Sequence, residues 1–331
     1  MILHIIVLDG GIGIIEILNK SNIIALVGGG SKPKFPKNKV IIWDDLQSKV
    51  ISEVKFTSDV LAIRINTFHL FVICKNKVYV FNLSNFQNVD NSDTCDNPKG
   101  IFTISSNQEE SIIAFPNVKK GSVTVKKYST EPKECTFWAH SSGIGCLSLN
   151  RDGSLICTCS ENGTLLRIFN AETGDVGYEF RRGKDKAEIY SLSFDYDSDF
   201  IACTSDRGTV HIFALTNSTP GDQNKEEENK DEEQTEGRKS KHVFQKIDKH
   251  EGFFGAISRL VTMPTGYMKA QRSFSQFRIP DVKPFSSFYG DCDNTKIFVI
   301  STQAKFYKID FNRNQPGECQ DTQCFDLSKK I

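Results

Sequence analysis

Apolar residues in this chain come in short runs, rich in β-branched and aromatic side chains and closed by Gly, Asn, Asp or Ser. Residues 12–17, 23–27, 40–43, 61–65, 70–74 and 77–81 are of this kind, and each predicts a strand bounded by turns. No long stretch carries a helical period. Many short strands between polar turns point to a sandwich, a barrel or a radial repeat.

An internal repeat decides among these. Residues 155–164 lie over residues 200–209, and Ser160 and Ser205 give the offset as 205 − 160 = 45. The runs 144–149 and 189–194 ahead of them are spaced by the same interval. A period of about 40–45 with four strands per unit is the signature of WD-type propellers. Removing an insertion of roughly 55 residues and dividing by about 42 leaves between six and seven blades. The expectation is an all-β chain, a single seven-bladed WD-type β-propeller over residues 1–331, with the completeness of its first blade left open. The opening run, residues 1–8, is apolar but lacks a basic flank and ends at Asp9, short of the ~20 residues a membrane span needs. It reads as a strand.

The insertion follows Leu215. Residues 216–240 are acidic, and residues 220–234 contain no apolar side chain, so this half cannot bury enough surface to order itself. Residues 241–270 differ: Phe253, Phe254, Ile257 and Leu260 recur at spacings of three and four among Lys246, Lys249 and Arg259. Such a segment suits a membrane interface, and equally a stripe packed back on the propeller.

Charge and cysteines narrow the chemistry. Lys+Arg and Asp+Glu both total 41, so no overall field attracts nucleic acid, and phosphate affinity must come from a local arrangement. The ten cysteines include no Cys-x-x-Cys pair and no accompanying histidine cluster, so neither a metal nor another cofactor is expected. Cys157 and Cys159, two apart on a strand, read as buried small apolar groups. Without a secretory signal pattern, a cytosolic setting is the simpler expectation.

The local arrangement is Phe180-Arg181-Arg182-Gly183. Adjacent side chains on a strand face opposite ways, so two neighbouring arginines can reach two separate anions. An arginine pair alone says little, but this one stands between His140, Ser160 and Thr164 on one side and Ser205, Arg207, Thr209 and His211 on the other. Hydroxyl, imidazole and guanidinium groups are the donors a phosphate monoester needs. Replacing both arginines with Thr should then remove phosphate binding and leave the fold intact, because outer-strand side chains carry little packing. Neutral imidazoles would also make binding tighten as pH falls through the histidine range.

Around these residues the sequence resembles the PROPPIN family, the WIPI-type propellers that bind phosphatidylinositol 3-phosphate and 3,5-bisphosphate. The resemblance runs through residues 179–191, with the FRRG motif intact, and through Gly28-Gly29-Gly30, Ile42-Trp43-Asp44-Asp45, Ala114-Phe115-Pro116, Ala139-His140-Ser141 and residues 208–213. It implies a first headgroup site of Arg181, His140, Ser160 and Thr164, and a second of Arg182, Ser205, Arg207, Thr209 and His211. It places the 216–270 insertion within the sixth blade as the membrane-inserting loop, through Phe253, Phe254, Ile257 and Leu260. Asn162 stands where many relatives carry a basic residue, which makes the first site the weaker. The resemblance further implies an autophagy effector on autophagosomal precursor, endosomal or vacuolar membranes. Such an effector is expected as a monomer that partners a lipid-transfer protein.

Two other classes compete. A WD-repeat scaffold without lipid binding is compatible with the fold, since fold does not fix function. An enzyme is not expected: Gly28-Gly29-Gly30 lacks the Gly-Lys-Ser/Thr ending of a phosphate loop and reads as a tight turn, and no catalytic triad spacing is present.

Overall fold

The computed structural model describes residues 8–18, 21–107, 109–215, 270–280, 283–289, 296–319 and 321–330. These divide into two compact units, residues 1–139 and 140–331. Residues 216–269, with Phe253, Phe254, Ile257 and Leu260, lie outside the described residues, as does most of the opening strand-like run.

Three antiparallel sheets build the first unit. They are β1–β4 (Ile12–Ile17, Ile23–Gly28, Lys39–Asp44, Lys49–Lys55), β5–β8 (Val60–Ile65, His69–Cys74, Lys77–Asn82, Asn88–Asp93) and β9–β12 (Thr103–Ile104, Ser111–Pro116, Ser122–Tyr128, Lys133–Trp138). In each the strands neighbour one another in chain order, so short turns suffice to connect them. Middle strands are apolar on both faces, as in the fully buried β10, while outer strands such as β8 (NVDNSD) are polar. Both faces are covered because the sheets pack face to face: Val27, Ile42, Ile63 and Val72 join the first to the second, and Phe71, Val80, Ile113 and Phe115 the second to the third. Gly28 ends β2 where a Cβ would lie 1.6 Å from the Phe35 carbonyl oxygen, and one on Gly29 would lie 2.4 Å from the Gly13 Cα, so these two glycines mark a close backbone crossing.

The second unit repeats the plan. Its sheets are β13–β16 (Ile144–Leu149, Leu155–Ser160, Leu165–Asn170, Val176–Arg181), then β17–β20 (Ile189–Phe194, Phe200–Ser205, Thr209–Ala214, Ser275–Arg278), and finally β21 (Pro284–Phe288), β22 (Lys296–Ser301), β23 (Lys305–Asp310) and β25 (Asp321–Asp326). A two-residue strand, β24 (Gly317–Glu318), runs parallel to β20. Cys157, Cys159, Leu166, Ile168 and Phe180 of β13–β16 pack against Ile201, Cys203 and Phe213 of β17–β20, so the two cysteines are buried apolar contacts on one face. Burial pushes both thiols well above their usual range, which keeps them protonated. Val210, Ile212, Ile297 and Val299 join the last two sheets.

Six blade-like sheets therefore fall among the described residues, and the insertion joins the third and fourth strands of the fifth, β19 and β20. Arg313 clamps the loop before β18, donating to Asp195 at 3.1 Å and to Asp199 at 2.7 Å. Asp195 also accepts from the Phe200 N–H, and burial raises its carboxyl to about 6.

Candidate anion-binding site

Arg181 closes β16 and Arg182 follows it, so alternation sends them to opposite faces of the β13–β16 sheet. Phe180 fixes the assignment. Its ring lies 5.1 Å from Phe213, on the face that meets β17–β20, and Glu179 and Arg181 take the other face.

Arg182 returns to the Phe180 side. It is buried, at 9% exposure, and its Nε donates to the Gly163 carbonyl at 2.7 Å while an Nη2 hydrogen goes to the Asp185 carbonyl. Its own N–H donates to the Thr164 carbonyl at 2.9 Å. Two of five guanidinium N–H groups are thus spent inward, and among the described residues three remain for an anion.

Opposite stands the inner face of β17–β20. Cys203 and Phe213 belong to the core there, so strand alternation puts Ser205, Thr209 and His211 on that same face. Ser205 is fully buried. The His211 Nδ1 lies 3.4 Å from Ser273 Oγ, and its ring stacks on Phe213. Arg207 behaves differently: its Nε and Nη2 both donate to the Lys186 carbonyl, at 3.2 and 2.7 Å, so it pins the loop after the arginine pair.

On the other face Arg181 shares its side of the sheet with Thr158, Ser160 and Arg167. His140 is buried, with Nε2 2.9 Å from Thr158 Oγ1, and Ser160 is nearly so. Thr164 sits in the turn before β15, whereas Thr209 opens β19, because the second repeat is one residue shorter after its glycine. The strand position that holds His211 in one sheet holds Arg167 in the other, where Arg167 donates to Glu179 at 2.7 Å. Asn162 donates to Ser142 Oγ at 3.3 Å and its carbonyl accepts the Ala187 N–H.

The chain re-enters from the insertion across this site. The Gln271 N–H donates to the Glu179 carbonyl at 3.1 Å, the Arg181 N–H donates to the Gln271 carbonyl at 2.7 Å, and the Phe274 N–H donates to the Ile212 carbonyl. The re-entering segment thus bridges the arginine strand and β19. Further along it, Gln276 pairs with His211 and Arg278 with Thr209 across β19 and β20, so both share the face of Thr209 and His211.

Both imidazoles are neutral. Burial, reinforced by the Arg167 charge, lowers His140 to about 3; burial, reinforced by Arg182, lowers His211 to about 4. Tightening of anion binding through the ordinary histidine range is therefore not expected of the unliganded site. An unfolded chain protonates both near 6.5, so between that pH and about 4 it binds more protons than the folded chain, and stability falls as pH falls through this window. Proton NMR should show no His140 or His211 midpoint above pH 5; a midpoint near 6.5 for either would contradict its burial.

A family model described as PROPPIN matches residues 10–323. The chain belongs to the PROPPIN family. Autophagy-related protein 18 of Yarrowia lipolytica is 29% identical over 98% of this PROPPIN and 88% of its own length. Autophagy-related protein 18e of Arabidopsis thaliana is 36% identical over 208 residues, 62% of this chain, and the chain spans 55% of that relative's length. Among solved structures, Kluyveromyces lactis Hsv2 matches with a TM-score of 0.69 at 20% identity, over 96% of this chain and 87% of that one. A complex of KlAtg21 with the coiled coil of AgAtg16 reaches 0.66 at 19% identity, over 94% and 84%. The all-β propeller class expected from the repeat is the class found.

Proposed function

We propose that this PROPPIN is a phosphoinositide-binding effector that docks on membranes carrying phosphatidylinositol 3-phosphate or 3,5-bisphosphate. The observation that carries the reading is the splitting of Arg181 and Arg182 to opposite faces of one sheet, each among its own imidazole and hydroxyl groups. Arg181 serves one headgroup with His140, Ser160 and Thr164; Arg182 serves the other with Ser205, Thr209 and His211, and Arg207 acts through the Lys186 loop. The insertion, whose re-entering end is tied to the arginine strand, supplies apolar contact with the bilayer through Phe253, Phe254, Ile257 and Leu260. Burial of these side chains adds about 0.8 kcal/mol per CH₂ removed from water. No turnover is part of the mechanism.

Two headgroup contacts and a loop on one scaffold raise the effective concentration of each for the others, so each can be weak alone. Relatives named for autophagy, and the coiled-coil complex of KlAtg21, support action as a recruiter of protein partners on autophagic, endosomal or vacuolar membranes. Vesicle flotation tests the core of this reading. The chain should float with vesicles bearing either phosphoinositide and not with phosphatidylcholine alone. Arg181→Thr, or shortening of residues 216–270, should each lower the bound fraction by about tenfold or more through lost avidity. Failure of the unmodified chain to float would leave a scaffold without lipid binding as the better account.

A further inference from the structure

Three arginines flank the second pocket, and they differ in how their donors are used. Arg182 is buried and spends two N–H groups on the Gly163 and Asp185 carbonyls. Arg207 is committed to the Lys186 carbonyl through two nitrogens and lies 3.9 Å from Asp206. Arg278 is exposed, and among the described residues its guanidinium has no hydrogen-bond or ion-pair partner.

Its position is nevertheless fixed. The Ile279 N–H donates to the Gly208 carbonyl at 2.7 Å, and Phe277 pairs with Val210 in the core between the last two sheets. Arg278 must then project from the opposite face, directly across from Thr209 and two residues from Gln276, which faces His211. Arg182 is therefore a buried guanidinium anchored on two carbonyls, and the strand returning from the insertion presents a second, exposed one on the face it shares with Thr209 and His211. A monophosphate can be bound by one such group. A second phosphate on the same ring needs another cation, because a dianion brought into a partly buried pocket without a partner is costly.

We propose that Arg278 is the specificity-determining residue of the second pocket, where it holds the additional phosphate of a bisphosphorylated inositol headgroup while Arg182 holds the first. This rests on the phosphoinositide reading above. The division of labour follows from the geometry: a buried arginine with fixed donors suits the phosphate common to all ligands, and an exposed one on a flexible stem suits a phosphate that only some carry. The exposed carboxylate nearest the pocket's turn, Asp206, is already engaged by Arg207 and by the Glu188 N–H.

The test compares the unmodified chain, Arg278→Gln and Arg278→Lys on vesicles with no phosphoinositide, with the 3-phosphate, and with the 3,5-bisphosphate. Arg278→Gln should lose about tenfold or more of its affinity for the bisphosphate, the size of one charge-assisted contact, and keep its affinity for the monophosphate within about twofold. Arg278→Lys should recover part of the loss. Since Arg278 is exposed, its variants should melt with the unmodified chain. Equal losses on both lipids, or none on either, would overturn the assignment. An unmodified chain that floats with neither lipid would overturn the phosphoinositide reading itself. If that chain instead bound soluble inositol 1,3,5-trisphosphate in calorimetry, with Arg278→Gln weakening it, the ligand would be a free inositol phosphate and the membrane part alone would fall.

Discussion

Arg182→Thr is expected to abolish headgroup binding at the second pocket and also to destabilise the chain, by about 2–3 kcal/mol, because it leaves the buried Gly163 carbonyl and the half-covered Asp185 carbonyl without their donor. Those carbonyls belong to Gly163 and Asp185, on two segments with no other link through this side chain. A melting temperature lower by roughly 3–4 °C follows from that cost in a chain of this length. Arg181→Thr should cost much less, since Arg181 is only half-buried, while removing binding at its own site. Scanning calorimetry of both single variants, beside flotation, separates the effects. If Arg182→Thr melts with the unmodified protein, the side chain does not hold those carbonyls and its burial has been misassigned. The expectation that both arginines can be exchanged without touching the fold therefore holds only for Arg181. Loss of vesicle binding by the double variant would confound binding with stability, and Arg181→Thr is the cleaner probe.

The depth of Arg182 illustrates what the sequence could and could not carry. The 45-residue repeat exposed β14 and β18 and the turns after them, because middle strands are apolar on both faces and their glycine turns recur. Alternation alone separated Arg181 from Arg182. It could not reveal that Arg182 turns onto backbone acceptors, since carbonyls leave no mark in sequence. Outer strands such as β8 escaped notice because their exposed, polar residues resemble loops. Arg167 was overlooked although its strand position matches that of His211; a repeat aligned with the one-residue shortening after Gly208 would have placed it. Arg278 was beyond reach for a topological reason. Its partner Thr209 precedes the insertion, and only the register of β19 against β20 brings the two together.

The turn that supports Arg182 should be as sensitive as the arginine itself. Gly163 has φ +62°, in the left-handed region, and a Cβ there would stand 1.9 Å from the Ala187 carbonyl oxygen. Gly163→Ala should cost about 1–2 kcal/mol for the backbone conformation alone. The clash adds to this, since Ala187 is held by its N–H bond to the Asn162 carbonyl and cannot withdraw without moving the 183–187 loop. That loop carries the Asp185 carbonyl on which Arg182 rests, so the substitution shifts both acceptors of the guanidinium at once. A total near 3 kcal/mol or more is expected in urea denaturation, placing this change among the severe single substitutions. Where the variant still folds, it should lose the second pocket's headgroup binding at concentrations where Arg278→Gln retains the monophosphate. Gly183→Ala is the control: nothing lies within 4 Å of its added Cβ, so it should leave both stability and flotation nearly unchanged. Equal behaviour of the two alanine variants would mean that the close approach at Ala187 does not set the position of Arg182.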